Sequence, residues 1–206
     1  MAFRVTPLMK IASSTQPQPA FGSWVTAGIG LSAPSDVPIT ITLGTACNSG
    51  NDATQLFIAG EEAWLVDPNG VVAEAVKIKS ISGNTLTLGP QPIVMANGRV
   101  NPVTQYSHPV GAVGTGAFIL PKQMTNNMLV WYEDGGAGPW LYIGKGPTFT
   151  GSPAVNRLFK LAFTTTGTPP AWWNAGMFSP GNPFDLSEVF VRGTANDQYI
   201  TSVNID

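Results

Sequence analysis

Ionic side chains are scarce in this sequence. Ten lysines and arginines and twelve aspartates and glutamates make up 11% of 206 residues, against roughly 25% in an ordinary soluble protein. A folded chain of this mass exposes on the order of 9,000 Å², which so few charges cannot cover, so much of the exterior must be neutral. With a net charge of −2 there is little electrostatic repulsion between copies, and such a surface tends to associate. Cysteine is nearly absent too. Cys47 stands alone, which excludes an intramolecular disulfide framework, and its Thr/Asn/Ser/Gly surroundings offer no cation to activate a thiolate. No apolar run approaches the ~20 residues of a membrane-spanning helix, and the N-terminus lacks the basic-then-apolar pattern of a signal peptide. The basic residues are scattered, so no stripe is available to neutralise phosphates, and nucleic acid is not an expected partner.

Hydrophobic residues are plentiful at 43%, enough to bury a core. Their spacing has a period of two. Ile39-Thr-Ile-Thr-Leu43 and Thr85-Leu-Thr-Leu88 alternate strictly, as half-buried strands do. Gln55–Ala59, Ala63–Val66 and Val71–Ile81 read as further strands, with Asp67-Pro-Asn-Gly70 and Ser82-Gly-Asn84 as the turns. Beyond residue 121, strands are expected over 127–132, 140–143, 158–163, 189–191 and 199–203, with a glycine-rich hairpin loop from Glu133 to Pro139. The only helical candidate is a short turn at Asp185–Glu188. Short strands with regular turns indicate an all-β sandwich or barrel.

Residues 1–38 read differently. Pro7, Pro17, Pro19, Pro34 and Pro38 exclude a long helix, so the segment is expected to be an extended Pro-rich arm carrying Phe3, Val5, Leu8 and Trp24. These side chains either fold back on their own domain or dock on a neighbouring subunit. The expected organisation is an arm (1–38), a β-barrel-like domain (39–120) and a β-sandwich domain (121–206).

Candidate chemistry is thin. His108 is the only histidine, no Gly-x-Ser-x-Gly elbow exists, and a turn or edge hydrogen-bonding role is expected for it. The acidic pairs Glu61-Glu62 and Glu133-Asp134 fall in turns, and adjacent strand residues point to opposite faces, so neither pair converges on a glycosidic bond. Asp185 and Glu188 have the spacing of a capping box. Neither a zinc-type Cys/His cluster nor a calcium loop is present, and no phosphate-cradling glycine-rich sequence occurs. No catalytic, cofactor or metal residue is therefore expected. Trp172, Trp173 and Phe178, in a loop rich in proline and glycine, are candidates for a protein interface, for core packing or for stacking on a sugar.

Several pieces of the chain carry a resemblance. Ala63–Val66, Ala75–Ile78, Ile81-Ser-Gly-Asn-Thr-Leu-Thr-Leu88 and Ser107-His-Pro-Val-Gly-Ala-Val113 follow in the order found in small β modules of tailed-bacteriophage structural proteins, with a long insert from Gln91 to Gln105. The end of the chain, Asn182–Leu186 followed by Glu188-Val-Phe-Val191 and Gly193-Thr, resembles β-sandwich domains of phage head and tail accessory proteins. The resemblance implies a virion protein made in a host cytoplasm. Head decoration or cement is the first expectation, with the major capsid protein and neighbouring copies of itself as partners in a homo-oligomer. The alternative is a tail or baseplate fibre or adaptor protein contacting host glycans.

Overall fold

The computed structural model describes residues 3–10, 16–28, 35–44, 53–92, 94–98, 100–125, 127–134, 140–148, 157–162, 172–174, 184–185, 188–194 and 199–205. The protein is all-β. The strands run in the order β1 (Phe3–Lys10), β2 (Gln18–Pro19), β3 (Ser23–Gly28), β4 (Ile39–Leu43), β5 (Glu62–Val66) and β6 (Ala73–Ser82). Then come β7 (Thr85–Gly89), β8 (Phe118–Pro121), β9 (Met124–Thr125), β10 (Asn127–Asp134) and β11 (Trp140–Lys145). The last are β12 (Arg157–Ala162), β13 (Trp172–Asn174), β14 (Phe184–Asp185), β15 (Val189–Gly193) and β16 (Tyr199–Ile205).

Six strands close a barrel in the order β3-β4-β7-β6-β5-β8. Period-two alternation sets its register. Ile39 faces Leu88 and Ile41 faces Leu86 across β4 and β7, and these four side chains are buried. The Gly83-Asn84 turn closes the β6–β7 hairpin with Ser82 opposite Thr85, as a two-residue loop with a glycine of positive φ should (φ 56° at Gly83). β8 departs from alternation: all four residues of Phe118-Ile-Leu-Pro121 are buried, because the barrel covers one face and the second β unit the other.

That second unit has two four-stranded sheets, β1-β16-β10-β13 and β12-β11-β15-β2, and a short β9–β14 pair. Its buried residues Val130, Leu141, Ile143, Phe190 and Val191 belong to one hydrophobic core with those of the barrel. The Phe118 and Phe190 rings meet edge to face at 5.4 Å, a favoured aromatic geometry. Nearby, the Ala20 amide donates to the Val189 carbonyl at 2.9 Å.

The proline-rich N-terminal segment is tied to both units. β1 pairs antiparallel with β16, β2 with β15, and β3 with β4 and β8. Its prolines fall where strands tolerate them. Pro7 lies at the register shift between Thr6 and Met9 of β1, which pairs on one side only, and Pro19 ends the edge strand β2.

Two local expectations are corrected. Gln55–Ala59 is not a strand: Ala53–Gln55 forms a 3₁₀ turn, and the Leu56 and Phe57 amides both donate to the Ala53 carbonyl. Leu56 and Phe57 are both buried, which an alternating strand in a one-sided sheet cannot achieve. Glu133 and Asp134 belong to β10 rather than to the loop after it. Asp185 ends β14, and Glu188, three residues on, is in a 3₁₀ turn.

Phe118→Ala is expected to lower the unfolding free energy by about 3–5 kcal/mol, the usual cost of emptying a buried phenylalanine site. Urea denaturation measures it; a loss under about 1 kcal/mol would show that the two β units do not share a core.

Candidate functional site: a buried histidine between two carboxylates

The β5–β6 turn begins at Asp67. Its Asp-Pro-Asn-Gly sequence closes with the Gly70 amide on the Asp67 carbonyl at 2.8 Å, and the Asp67 amide bonds the Val72 carbonyl at 2.9 Å. Gly70 has φ 72°, a conformation that favours glycine. Asn69 Oδ1 accepts the Val71 amide. This turn fixes the direction of the Asp67 side chain.

Glu74 comes from β6, where residues 74, 76 and 78 are buried in alternation. It stands opposite Leu65 of β5, a carboxylate on the buried face of a strand. Its side chain is 2% exposed. The third member, His108, comes from the long connection between β7 and β8. Pro109 biases it toward extended backbone, and the loop beyond is sewn to β3 and to itself. The Gly111 amide donates to the Val25 carbonyl, the Val25 amide to Ala117, and the Ala117 amide to Pro109. A Cβ at Gly116 would come within 2.6 Å of the Val25 carbonyl oxygen, so this close approach requires glycine.

The imidazole is wholly buried between the two acids. Nδ1 lies 2.8 Å from Asp67 Oδ1 and Nε2 lies 2.7 Å from Glu74 Oε1. A neutral imidazole has one donor nitrogen and would turn a lone pair on one acceptor; the imidazolium donates to both. Burial by itself lowers the His108 pKa, but the hydrogen bonds and charges of Glu74 and Asp67 outweigh it, and the pKa is raised above 6.5. Glu74 also accepts two backbone amides, Gln105 on Oε2 at 2.6 Å and Tyr106 on Oε1 at 3.2 Å. One carboxylate thus holds the histidine and the chain just before it.

With both ring nitrogens engaged and no exposed side-chain surface, His108 is placed to pin a loop, not to exchange protons with a ligand. The sequence points to its hydrogen-bonding role, but to a turn or edge position, and the structure corrects the position to buried. Asp67 and Glu74 were legible only as a turn residue and a strand charge. A signal for Glu74 does exist: at period two, Glu74, Val76 and Ile78 share a face whose other members are apolar.

The remaining candidates do not converge here. Trp24 is buried in the core shared by the barrel and the second unit, against Gly44, so its side chain packs within the chain. Phe3, Val5 and Leu8 lie in β1. Trp172 and Trp173, expected in an irregular loop, form β13 and pair with Trp131 and Val130 of β10. Phe178 and Cys47 lie outside the described residues. Among the acids, Asp185 Oδ2 accepts the Trp64 indole N–H at 2.9 Å. Glu62 pairs with Lys122 at 2.7 Å and Glu188 with Lys145 at 3.0 Å. Among the described residues no His, Cys, Asp and Glu group is arranged to hold a metal ion. No family model matches the chain, and neither a curated protein nor a solved structure matches it significantly.

Because the folded-state pKa of His108 is raised, its contribution to stability is full below about pH 6.5 and is lost as pH rises through the folded value. As the only histidine, its imidazole proton resonance is unambiguous, and NMR titration is expected to give a midpoint above 6.5. A midpoint below it would mean that the carboxylates do not outweigh burial.

His108→Ala is expected to cost about 3–5 kcal/mol, the penalty for stranding a buried charge. Hydrogen exchange should accelerate first at the Gln105 and Tyr106 amides. Uniform acceleration across the barrel would instead make the histidine a general core residue.

Proposed function

We propose that this chain is a non-enzymatic structural subunit of a virus particle, a head decoration or cement protein that binds the coat lattice. The observation that carries the reading is the poverty of exterior charge. Ten basic and twelve acidic side chains serve an accessible surface of 9135 Å². Several of them are spent internally or on each other: Asp67 and Glu74 turn onto His108, and Glu62 and Glu188 are paired with lysines. What is left is mainly neutral surface, which gains by being covered.

Two further features support it. The barrel interior is filled by side chains such as Ile41, Leu65, Ile78 and Leu88, so the domain is rigid bulk of the kind a lattice clamp needs. The order of pieces from Ala63 to Val113 resembles β modules of tailed-phage structural proteins. In this reading each copy bridges coat subunits by burying apolar area at about 25 cal/mol per Å², less the cost of ordering and association, alongside neighbouring copies of itself. The chain travels with the virion after synthesis in the host cytoplasm.

Gold-labelled antibody against the chain, applied to intact particles of the virus that encodes it, is expected to decorate the whole head. Label confined to one vertex or to a tail tip would replace this reading with a tail or baseplate adaptor. Absence from purified particles would remove both.

A further inference from the structure

Strand directions place three connections at one end of the barrel. β3 ends there and residues 35–38 lead into β4, β5 turns into β6 through 67–72, and β7 crosses to β8 through 90–117. The described parts of these connections are held together. Ser35 bridges Thr104, and its carbonyl accepts the Val103 and Thr104 amides. Val94 pairs with Val100 across a small hairpin, and the Gln91 side-chain amide reaches the Ala75 carbonyl of β6. The His108 cluster ties the second connection to the third.

This end also carries an exposed set of large apolar side chains. Val37, Val71, Val94, Val100, Tyr106 and Val110 are exposed there, from 43% at Val110 to 79% at Val71. The other two exposed large apolar residues among those described, Ile58 and Met124, lie outside these three connections. Single exposed valines need no explanation; six on the linked loops of one barrel end do. Together they present on the order of 600 Å², the upper range for the largest apolar patch of a monomer.

We propose that this end of the barrel is a self-association surface, on which a second copy of the chain docks end to end about a two-fold axis. Area and charge select that occupant. A two-fold contact presents the same patch twice, so burying these six side chains on both copies removes roughly 1,200 Å², the threshold of a standard specific interface. Among the described residues, the patch carries little like charge that would repel its own image. Among the described residues of these connections and the Glu74 beside them, the ionisable acids and histidine are Asp36, Asp67, Glu74 and His108, and the last three are engaged with each other inside. The inference rests on the assembly reading for its premise that charge-poor surface becomes covered, but the two fail separately.

Sedimentation velocity on the full chain, over a wide concentration range, tests it. Wild type is expected to dimerise, and Val71→Asp or Val94→Asp to weaken the dimer at least tenfold by setting like charges face to face. Ile58→Asp, outside the patch, is expected to leave it unchanged. Urea denaturation of each variant confirms that the fold persists. A wild-type monomer throughout, or a dimer indifferent to both valine substitutions, overturns the proposal; if that monomer still decorates particle heads, the assembly reading stands without it.

Discussion

The barrel end depends on one buried ionic contact. Its three participants come from a turn, a strand and a long loop, with His108 lying 34 residues from Glu74 and 41 from Asp67 in sequence. Removing an imidazolium and two carboxylates from water costs several kcal/mol per ion, and their attraction offsets it only when the geometry is good and the remaining acceptors are filled. Here they are: each ring nitrogen meets its own carboxylate oxygen, and Glu74 takes up two backbone amides as well. Replacing such a cluster with apolar side chains of equal volume is often neutral or stabilising. What it supplies in this protein is position. A hydrophobic contact would let the 90–117 connection slide; two directional hydrogen bonds on a planar ring fix where residues 105–108 lie.

The same division of labour joins the barrel to the second β unit. Packing provides area through β8, Phe118 and Phe190, while oriented polar contacts fix registration. Trp64 donates to Asp185 across 121 positions of sequence, and Lys122, paired with Glu62, lies 5.2 Å from the centre of the same indole ring. That Glu62–Lys122 contact is partly exposed and contributes little by itself. Its proximity to Trp64 adds a cation–π contact on the strand that also bonds the second unit.

Period two made β4, β6 and β7 readable, and the Asp-Pro-Asn-Gly and Ser-Gly-Asn turns marked their hairpins, because both signals are local. β8 carried no such mark. Phe118-Ile-Leu-Pro121 is a continuous apolar run covered on both faces, and periodicity cannot distinguish that from other buried segments. Leu56 and Phe57 read as strand because consecutive apolar residues satisfy a hydrophobicity rule as well in a 3₁₀ turn. Proline content masked β1, β2 and β3: a count of prolines says that a segment is extended, but their position, at a register shift or on an edge, decides whether it can pair. The histidine cluster was least legible. A lone histidine in a loop and a glutamate in a strand acquire meaning only when the barrel closes and brings them together.

Scarcity of charge is what ties the buried cluster to the surface around it. A chain with 22 ionic groups that commits three ionisable side chains to one interior contact, two of them acids drawn from so small a set, leaves the adjoining loops with mostly neutral residues to present. Those residues cannot make a rigid surface by themselves, since neutral loops without buried partners are the least ordered parts of a fold. The cluster provides the missing order from beneath. In the proposed dimer, docking onto loops that are already fixed would avoid much of the ordering cost that flexible loops add, and the charges withdrawn from the exterior would lower the cost of covering it.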